Sequence, residues 1–144
     1  MLKKSITYTD YEGITRTEDF YFNLSKAEVL EMNYSKTGGY ERWIRQIVDA
    51  EDTDTMMKTI KDVIMRSYGR ISLDGKRFIK SKEMSEEFTQ TEAYSELLVE
   101  LMQGNGENIS EFMNGIASWA KDANAQNRSD DGKVTVATIG APNA

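Results

Sequence analysis

The segment TEAYSELLVELMQGNGENISEFMNGIASWA, residues 91–120, decides the fold of this chain because each of its halves carries an apolar stripe at helical spacing. The stripe of the first half consists of Ala93, Tyr94, Leu97, Leu98, Leu101 and Met102. The stripe of the second half consists of Ile109, Phe112, Met113, Ile116 and Ala120. Gly104 and Gly106 lie between the halves and suit the left-handed conformation that ends a helix. The segment therefore predicts two packed amphipathic helices, the second beginning with a capping box formed by Asn108 and Glu111.

A β-hairpin is predicted at the N-terminal end of the chain. Residues 4–9 and 15–22 are rich in Thr, Ile, Tyr and Phe, and Gly13 in the turn between them suits a positive φ. Phe20 and Phe22 share one face of the second strand, but charged residues occupy that face earlier in the strand. The first half of this strand is therefore predicted to face solvent or to contain a bulge.

Cap signals predict two helices after this hairpin. Ser25 and Glu28 have the spacing of a capping box and indicate a short helix. Asp52 or Thr53 is predicted to cap a longer helix over residues 55–68. Between these two, apolar residues at helical spacing predict another helix that buries Trp43, Ile44, Ile47 and Val48.

A second, shorter hairpin is predicted around Asp74 and Gly75, because Asp-Gly between two β-prone pieces favours a tight turn. Gly69, just before it, is placed to end the preceding helix as its C-cap. Ser81, just after it, is placed to start a short helix. The turn and its two flanking signals together predict a helix, a hairpin and a helix in that order.

These elements predict an α+β fold with a mainly helical domain over residues 1–121, which includes the N-terminal β-hairpin and the second short hairpin. Residues 122–144 are polar, rich in small residues and contain the single proline of the chain. Such a composition cannot bury enough apolar surface to fold by itself. It predicts a flexible, disordered or conditionally ordered C-terminal tail.

Composition argues against several classes of function. The formal net charge is -6, so no surplus of cations is present to neutralise the phosphates of a nucleic acid. The chain contains no cysteine and no histidine, which removes thiolate and imidazole ligands and the catalytic pairs that depend on them. No cofactor, no metal site and no catalytic residue is predicted, and no apolar run approaches the roughly 18 residues that cross a membrane. We therefore expect a non-enzymatic cytoplasmic protein that binds neither membranes nor nucleic acid.

Three blocks carry a resemblance to a known family. They are TEDFYFNLSKAEVLEM at residues 17–32, SLDGKRFIKSKEMSEEFTQTEAYSEL at 72–97 and TEAYSELLVELMQGNGENISEFMNGI at 91–116. In this order, and with a GG-containing segment between the first two, the chain resembles the tail assembly chaperones of siphophages that infect Gram-positive bacteria. The similarity covers about the first 115 to 120 residues.

The resemblance implies a role in tail morphogenesis. Proteins of this kind bind the tape measure protein, keep it soluble and help to recruit tail tube protein. The expected location is the cytoplasm of the host cell, and the expected state is absence from the mature virion. The resemblance is also compatible with a homo-oligomer. Two rival interpretations are a structural virion protein, such as a connector or tail component, and an acidic inhibitor or mimic protein.

Apolar side chains supply the candidate contact sites. The residues predicted to bind a partner are Met65, Ile109, Phe112, Met113, Ile116 and Trp119. Two of them, Met65 and Trp119, lie at the margins of their stripes and belong either to the flank of the core or to a patch that awaits a partner. Because a two-stranded hairpin is marginal alone, it must pack on helices or pair with another strand. The residues predicted for self-association are therefore Ile6, Tyr8, Phe20 and Phe22.

Overall fold

The computed structural model of the chain describes residues 1–34, 42, 45–47, 49, 52–104 and 106–120. Within these residues, four strands form an antiparallel sheet in the order β1-β2-β3-β4. The strands are β1 (Leu2–Thr9), β2 (Thr15–Phe22), β3 (Tyr68–Ile71) and β4 (Phe78–Ile79). The helices that we describe are α1 (Lys26–Asn33), α2 (Thr53–Ser67), α3 (Lys82–Thr89), α4 (Glu92–Met102) and α5 (Glu107–Ile116). The predicted α+β fold with two hairpins is confirmed.

The N-terminal hairpin is regular along its whole length. Strand β1 pairs with β2 from Leu2 opposite Phe22 to Thr9 opposite Thr15 without an extra residue on either strand. The first half of β2 is exposed to solvent. Of the two predicted alternatives for this half, solvent exposure is therefore correct and the bulge is wrong. Gly13 in the turn has a φ of 84°, as the sequence predicts.

Phe22, the last residue of β2, lies at the centre of the core and is fully buried. Its ring centroid lies 5.7 Å from that of Tyr68, 5.9 Å from that of Phe88 and 5.2 Å from that of Phe112. Phe88 also stacks on Tyr68, with 4.2 Å between centroids and 8° between ring planes. Burial in this cluster raises the pKa of the Tyr68 hydroxyl. The sheet, α3 and α5 thus meet in one group of aromatic rings.

Helices α4 and α5 pack on each other, and α4 also crosses β1. The inner residues of their two predicted stripes are buried, which confirms the helical pattern of residues 91–120. Gly104 and Gly106 between the helices have φ values of 82° and 91°, as predicted. The helix pair therefore covers one face of the N-terminal hairpin.

The predicted capping box of Asn108 and Glu111 is wrong. Helix α5 begins at Glu107 with Gly106 as its N-cap, and no side chain caps it. The Asn108 amide nitrogen instead donates a hydrogen bond to the carbonyl oxygen of Glu100 at 2.8 Å. The same carbonyl, near the end of α4, also accepts the N–H of the C-cap residue Gln103 at 3.3 Å, so Asn108 adds a second hydrogen bond there and joins the two helices.

The starts of α1 and α2 follow the predicted caps. The Ser25 hydroxyl accepts the N–H of Glu28 at 3.1 Å, and the Glu28 carboxylate accepts the N–H of Ser25 at 2.9 Å. Asp52 caps α2 by accepting the N–H of Thr55 at 2.6 Å. That hydrogen bond is also the first cause of the lowered pKa of the Asp52 carboxyl. Both helices therefore start where local sequence places them.

The prediction that Gly69 is the C-cap of α2 is wrong, because Tyr68 takes that position. The helix ends at Ser67, Tyr68 follows in an extended conformation, and Gly69 lies in β3 without a positive φ. A Cβ atom on Gly69 would lie 2.5 Å from the carbonyl oxygen of Ile79 and 2.5 Å from Cε2 of Phe78. The glycine is thus required by the close approach of β4.

The hairpin of β3 and β4 turns where the sequence predicts. Gly75 has a φ of 74°, and the Asp74 carboxylate accepts hydrogen bonds from the Ser72 hydroxyl at 2.6 Å and the Lys76 N–H at 3.0 Å. Ser81 then caps α3 by accepting the N–H of Met84 at 3.1 Å. The predicted hairpin and the helix after it are confirmed.

Part of the sequence prediction falls on residues that we do not describe. Of the predicted helix with Trp43, Ile44, Ile47 and Val48, the structure describes the side chain of Ile47, which is buried. The other three lie outside the described residues, and so do residues 121–144. The domain boundary after residue 121 and the flexible tail stay predictions.

The packing around Gly69 predicts that Gly69→Ala destabilises the domain. Backbone and ring atoms at 2.5 Å leave no room for a methyl group, so β4 must move. We expect the free energy of unfolding to fall by about 2 to 3 kcal/mol. The measurement is urea unfolding followed by circular dichroism.

Gly104→Asn is the matched control, because no atom lies within 4 Å of a Cβ placed there and asparagine tolerates a positive φ. We expect it to cost less than about 1 kcal/mol. Equal stability of Gly69→Ala and the unaltered protein would contradict this account of β3 and β4.

Candidate partner-binding surface

Trp119 lies at the surface end of the core, just after α5. Its indole Nε1 donates a hydrogen bond to the carbonyl oxygen of Leu24 at 2.9 Å, and its ring is partly buried against the core. The Lys26 ammonium lies 6.0 Å from the ring centroid, at the limit for a cation–π contact. The main-chain nitrogen of Met1 donates to the Ser118 hydroxyl at 3.0 Å. We call Met1, Lys26 and Trp119 the tryptophan corner.

This corner combines an oriented aromatic ring with exposed apolar surface. The Met1 side chain is 49% exposed. A hydrogen bond from the indole nitrogen fixes the ring while part of its apolar body remains at the surface. Such a residue can contact a partner at a small cost in side-chain entropy.

The four stripe residues of α5 lie behind this corner, in the core. Ile109, Phe112, Met113 and Ile116 are between 0% and 7% exposed. In the isolated chain their side chains belong to the core cluster against which Trp119 packs. Their direct contact with a partner stays a prediction.

Met65, the remaining predicted contact residue, lies on α2 and is half-buried. Its carbonyl oxygen accepts a hydrogen bond from the Ser85 hydroxyl at 2.7 Å, which joins α2 to α3. The structure therefore places Met65 beside α3, whereas the tryptophan corner lies where α5 meets β1 and the segment before α1. Met65 and Trp119, the two residues predicted at the margins of their apolar stripes, therefore lie at different places in the fold.

The hairpin residues predicted for self-association face the helices. Ile6 and Phe22 are buried, and Tyr8 and Phe20 pack against the core from its edge. The Tyr8 hydroxyl donates to the Glu18 carboxylate, a hydrogen bond that raises the pKa of Tyr8. Their role between copies of the chain stays a prediction.

The edge of β1 that does not pair with β2 exposes main-chain hydrogen-bonding groups. Asp10 N–H donates to the Ile14 carbonyl oxygen at 2.8 Å. Along an antiparallel ladder, residues whose main-chain groups point to the partner strand alternate with residues whose groups point away from it. The alternation directs the N–H and C=O groups of Lys3, Ser5, Thr7 and Thr9 away from β2. Within the described ranges no main-chain partner bonds these groups. An eight-residue edge of this kind can accept another strand.

Lys80 is a residue whose importance sequence reasoning missed. Its ammonium donates to the carbonyl oxygens of Asn23 at 3.0 Å and Arg66 at 2.9 Å, and it forms an ion pair with Glu28. One cation thus ties the end of β4 to the end of α2 and to the first turn of α1. The sequence does not single out Lys80 for this role, because it is one of three lysines in DGKRFIKSK, residues 74–82.

No cluster of three or more acidic side chains in the described ranges is arranged to hold a metal ion. Among the same residues no helix is both long and apolar enough to cross a membrane. Large apolar side chains do remain exposed on a packed core, among them Leu73, Tyr34 and Val99.

A family model described as phage tail assembly chaperone matches residues 1–137, and the chain belongs to this family. Its general role is therefore in the assembly of phage tails. No curated protein and no solved structure matches the chain. The predicted membership of the phage tail assembly chaperones is thereby confirmed, whereas their origin in siphophages of Gram-positive bacteria stays a prediction.

The contacts of Lys80 predict that Lys80→Met destabilises the domain. The substitution keeps the apolar stem but removes the cation from two carbonyl oxygens and from Glu28. We expect the free energy of unfolding to fall by about 2 to 3 kcal/mol, since hydrogen bonds that involve a charge exceed neutral ones. Urea unfolding at constant pH measures the change.

Lys82→Met is the control, two residues away in the same segment. The Lys80 side chain is 18% exposed, whereas that of Lys82 is 89% exposed and reaches Glu86 only at 4.0 Å. An exposed pair of this kind contributes little, so the control is expected to change stability by less than about 0.5 kcal/mol. If both variants behave alike, Lys80 does not join these elements as described.

Proposed function

We propose that this chain binds the tape measure protein, keeps it soluble during tail assembly and helps to recruit tail tube protein. The observation that carries the proposal is the family match over residues 1–137. It is supported by apolar side chains that stay at the surface of a packed domain. The phages concerned are siphophages of Gram-positive bacteria, by the resemblance of the three sequence blocks.

The tryptophan corner is the proposed contact site, together with Met65. A tape measure protein is a long helical chain, and its apolar face aggregates when it is exposed. A partly exposed indole and a flexible methionine suit apolar helix faces of varied sequence. In this proposal Ile109, Phe112, Met113 and Ile116 belong to the core on which Trp119 packs.

The proposed mechanism is mass action without covalent chemistry. Binding of the chaperone to the exposed apolar face lowers the concentration of free tape measure protein. Aggregation then slows, because it depends on the free chain. Tail tube subunits displace the chaperone as they cover the same surface. The protein would act in the host cytoplasm as a non-enzymatic factor and leave before the virion is complete.

Co-expression tests the proposal. We expect the tape measure protein encoded beside this chain to be largely insoluble alone and soluble when both are expressed. The measurement is the soluble fraction after centrifugation, followed by co-purification of the two chains. Equal solubility of the tape measure protein without this chain would overturn the proposal.

Mass spectrometry of purified particles separates the chaperone from its rival, a structural virion protein. An assembly factor is expected in lysates of infected cells but not in particles. Stoichiometric recovery from particles would favour a connector or tail component.

Substitutions test the contact site. We expect Met65→Ser and Trp119→Ala each to lower the soluble fraction of co-expressed tape measure protein several-fold, because each removes apolar contact area. Ile14→Ser is the control, since Ile14 is 48% exposed in the turn region of the first hairpin. Thermal unfolding of each variant separates lost contact from lost fold. A folded Met65→Ser and a folded Trp119→Ala that both solubilise normally would place the contact elsewhere.

A further inference from the structure

Charge is segregated along this chain. Residues 83–120 contain eight glutamates and no lysine or arginine. Residues 70–82, which include the β3–β4 hairpin, contain five lysines and arginines and a single acidic residue, Asp74. One hairpin is thus strongly basic in a protein whose formal net charge is -6.

The tip of this hairpin exposes apolar and basic side chains together. Leu73 is 109% exposed, as much as in an extended peptide, and Ile71 is 40% exposed. Arg70 and Arg77 are exposed beside them and line the same groove. We call Arg70, Ile71, Leu73 and Arg77 the cationic tip. In the described part of the chain neither arginine has an ion-pair partner.

Hydrogen bonds hold the tip in one conformation. The Ser72 N–H donates to the Arg77 carbonyl oxygen at 2.9 Å, and the Arg77 N–H donates to the Ser72 hydroxyl at 3.0 Å. Asp74 is held by the Ser72 hydroxyl and the Lys76 N–H. These bonds leave Leu73 presented to solvent on a fixed turn. Arginine is enriched among the residues that dominate protein interfaces, and a turn that is already fixed lowers the entropy cost of binding.

The outer face of α4 has the complementary chemistry. Glu92, Glu96 and Val99 follow one another at helical spacing, and Val99 is 54% exposed. The Tyr11 side chain, 77% exposed, lies beside them and donates a hydrogen bond to the Glu92 carboxylate at 2.6 Å. Tyr11, Glu92, Glu96 and Val99 form what we call the acidic stripe. Like the tip, the stripe joins charge to exposed apolar area, but with the opposite sign.

We propose that the cationic tip of one copy of this chain docks on the acidic stripe of a second copy. Leu73 would contact Val99 and Tyr11, while the arginines pair with Glu92 and Glu96. Because the tip and the stripe are different surfaces, the contact is heterologous. A pair joined in this way still presents one unoccupied tip and one unoccupied stripe, so further copies add head to tail. The proposal does not depend on the identity of the tape measure protein.

Charge distribution favours this occupant over a nucleic acid. A phosphate backbone would meet the tip but also the negative field of a chain with net charge -6. Phosphate contacts also leave Leu73 without an apolar partner. A second copy satisfies both the arginines and the leucine.

Sedimentation velocity of the purified full chain tests the contact. We expect the unaltered protein to associate as its concentration rises, and to dissociate when about 0.5 M salt screens the charges. The double variant Leu73→Ser with Arg77→Ser is expected to weaken association at least about tenfold. Lys61→Ser is the control, because Lys61 is an exposed cation of α2 outside the tip. A monomeric unaltered protein at every concentration, or a double variant that associates normally, would overturn the proposal.

Mixing two variants tests the head-to-tail arrangement. The tip variant keeps its stripe, and Glu96→Arg keeps its tip but reverses the charge of its stripe. Each alone is expected to stay monomeric, whereas an equimolar mixture is expected to form dimers and no larger species. Only a contact between two different surfaces gives this result. A mixture that stays monomeric would refute the arrangement, and circular dichroism of each variant confirms that it is folded.

Discussion

The burial of Phe22 is the constraint on which the rest of the structure depends. It is the last residue of β2, and its ring lies within 6 Å of the rings of Tyr68, Phe88 and Phe112. Directly after it, the chain bonds to two helix ends. The N–H of Asn23 donates to the Ser67 carbonyl at 2.8 Å, and that of Leu24 to the Ile116 carbonyl at 2.7 Å. Three residues thus join the sheet to α2, α3 and α5.

Asn23 and Leu24 also position the tryptophan corner and the second hairpin. Trp119 bonds to the carbonyl oxygen of Leu24, and Lys80 at the base of the second hairpin bonds to that of Asn23. The tryptophan corner and the hairpin are therefore anchored to adjacent peptide units in the core. A surface held in this way does not need to fold on binding, so contact with a partner costs little conformational entropy.

Local signals predicted much of the fold, whereas long-range contacts escaped sequence reasoning. The caps at Ser25, Asp52 and Ser81 followed from bonds that span three residues. The roles of Gly69 and Lys80 did not, because a Cβ clash with β4 and a bond to Asn23 depend on residues distant in sequence. For the candidate site, periodicity found the stripe of α5 correctly. It could not tell whether core or partner covers that stripe, since both need the same apolar spacing.

The small exposed apolar area of the domain limits how tightly a single copy can bind a partner. Exposed apolar side chains are scattered over the described surface, and the core itself is closed, so one copy offers a partner only a small contact area. Small contacts are often weak, and weak binding would suit the proposed displacement of the chaperone by tail tube subunits. If the partner is the long tape measure protein, as proposed, the number of bound copies compensates for the weakness of each contact. If neighbouring copies also touch, each binding event raises the effective concentration of the next. Each copy can then bind weakly while many copies together cover the partner tightly. The bound copies can still be displaced one at a time.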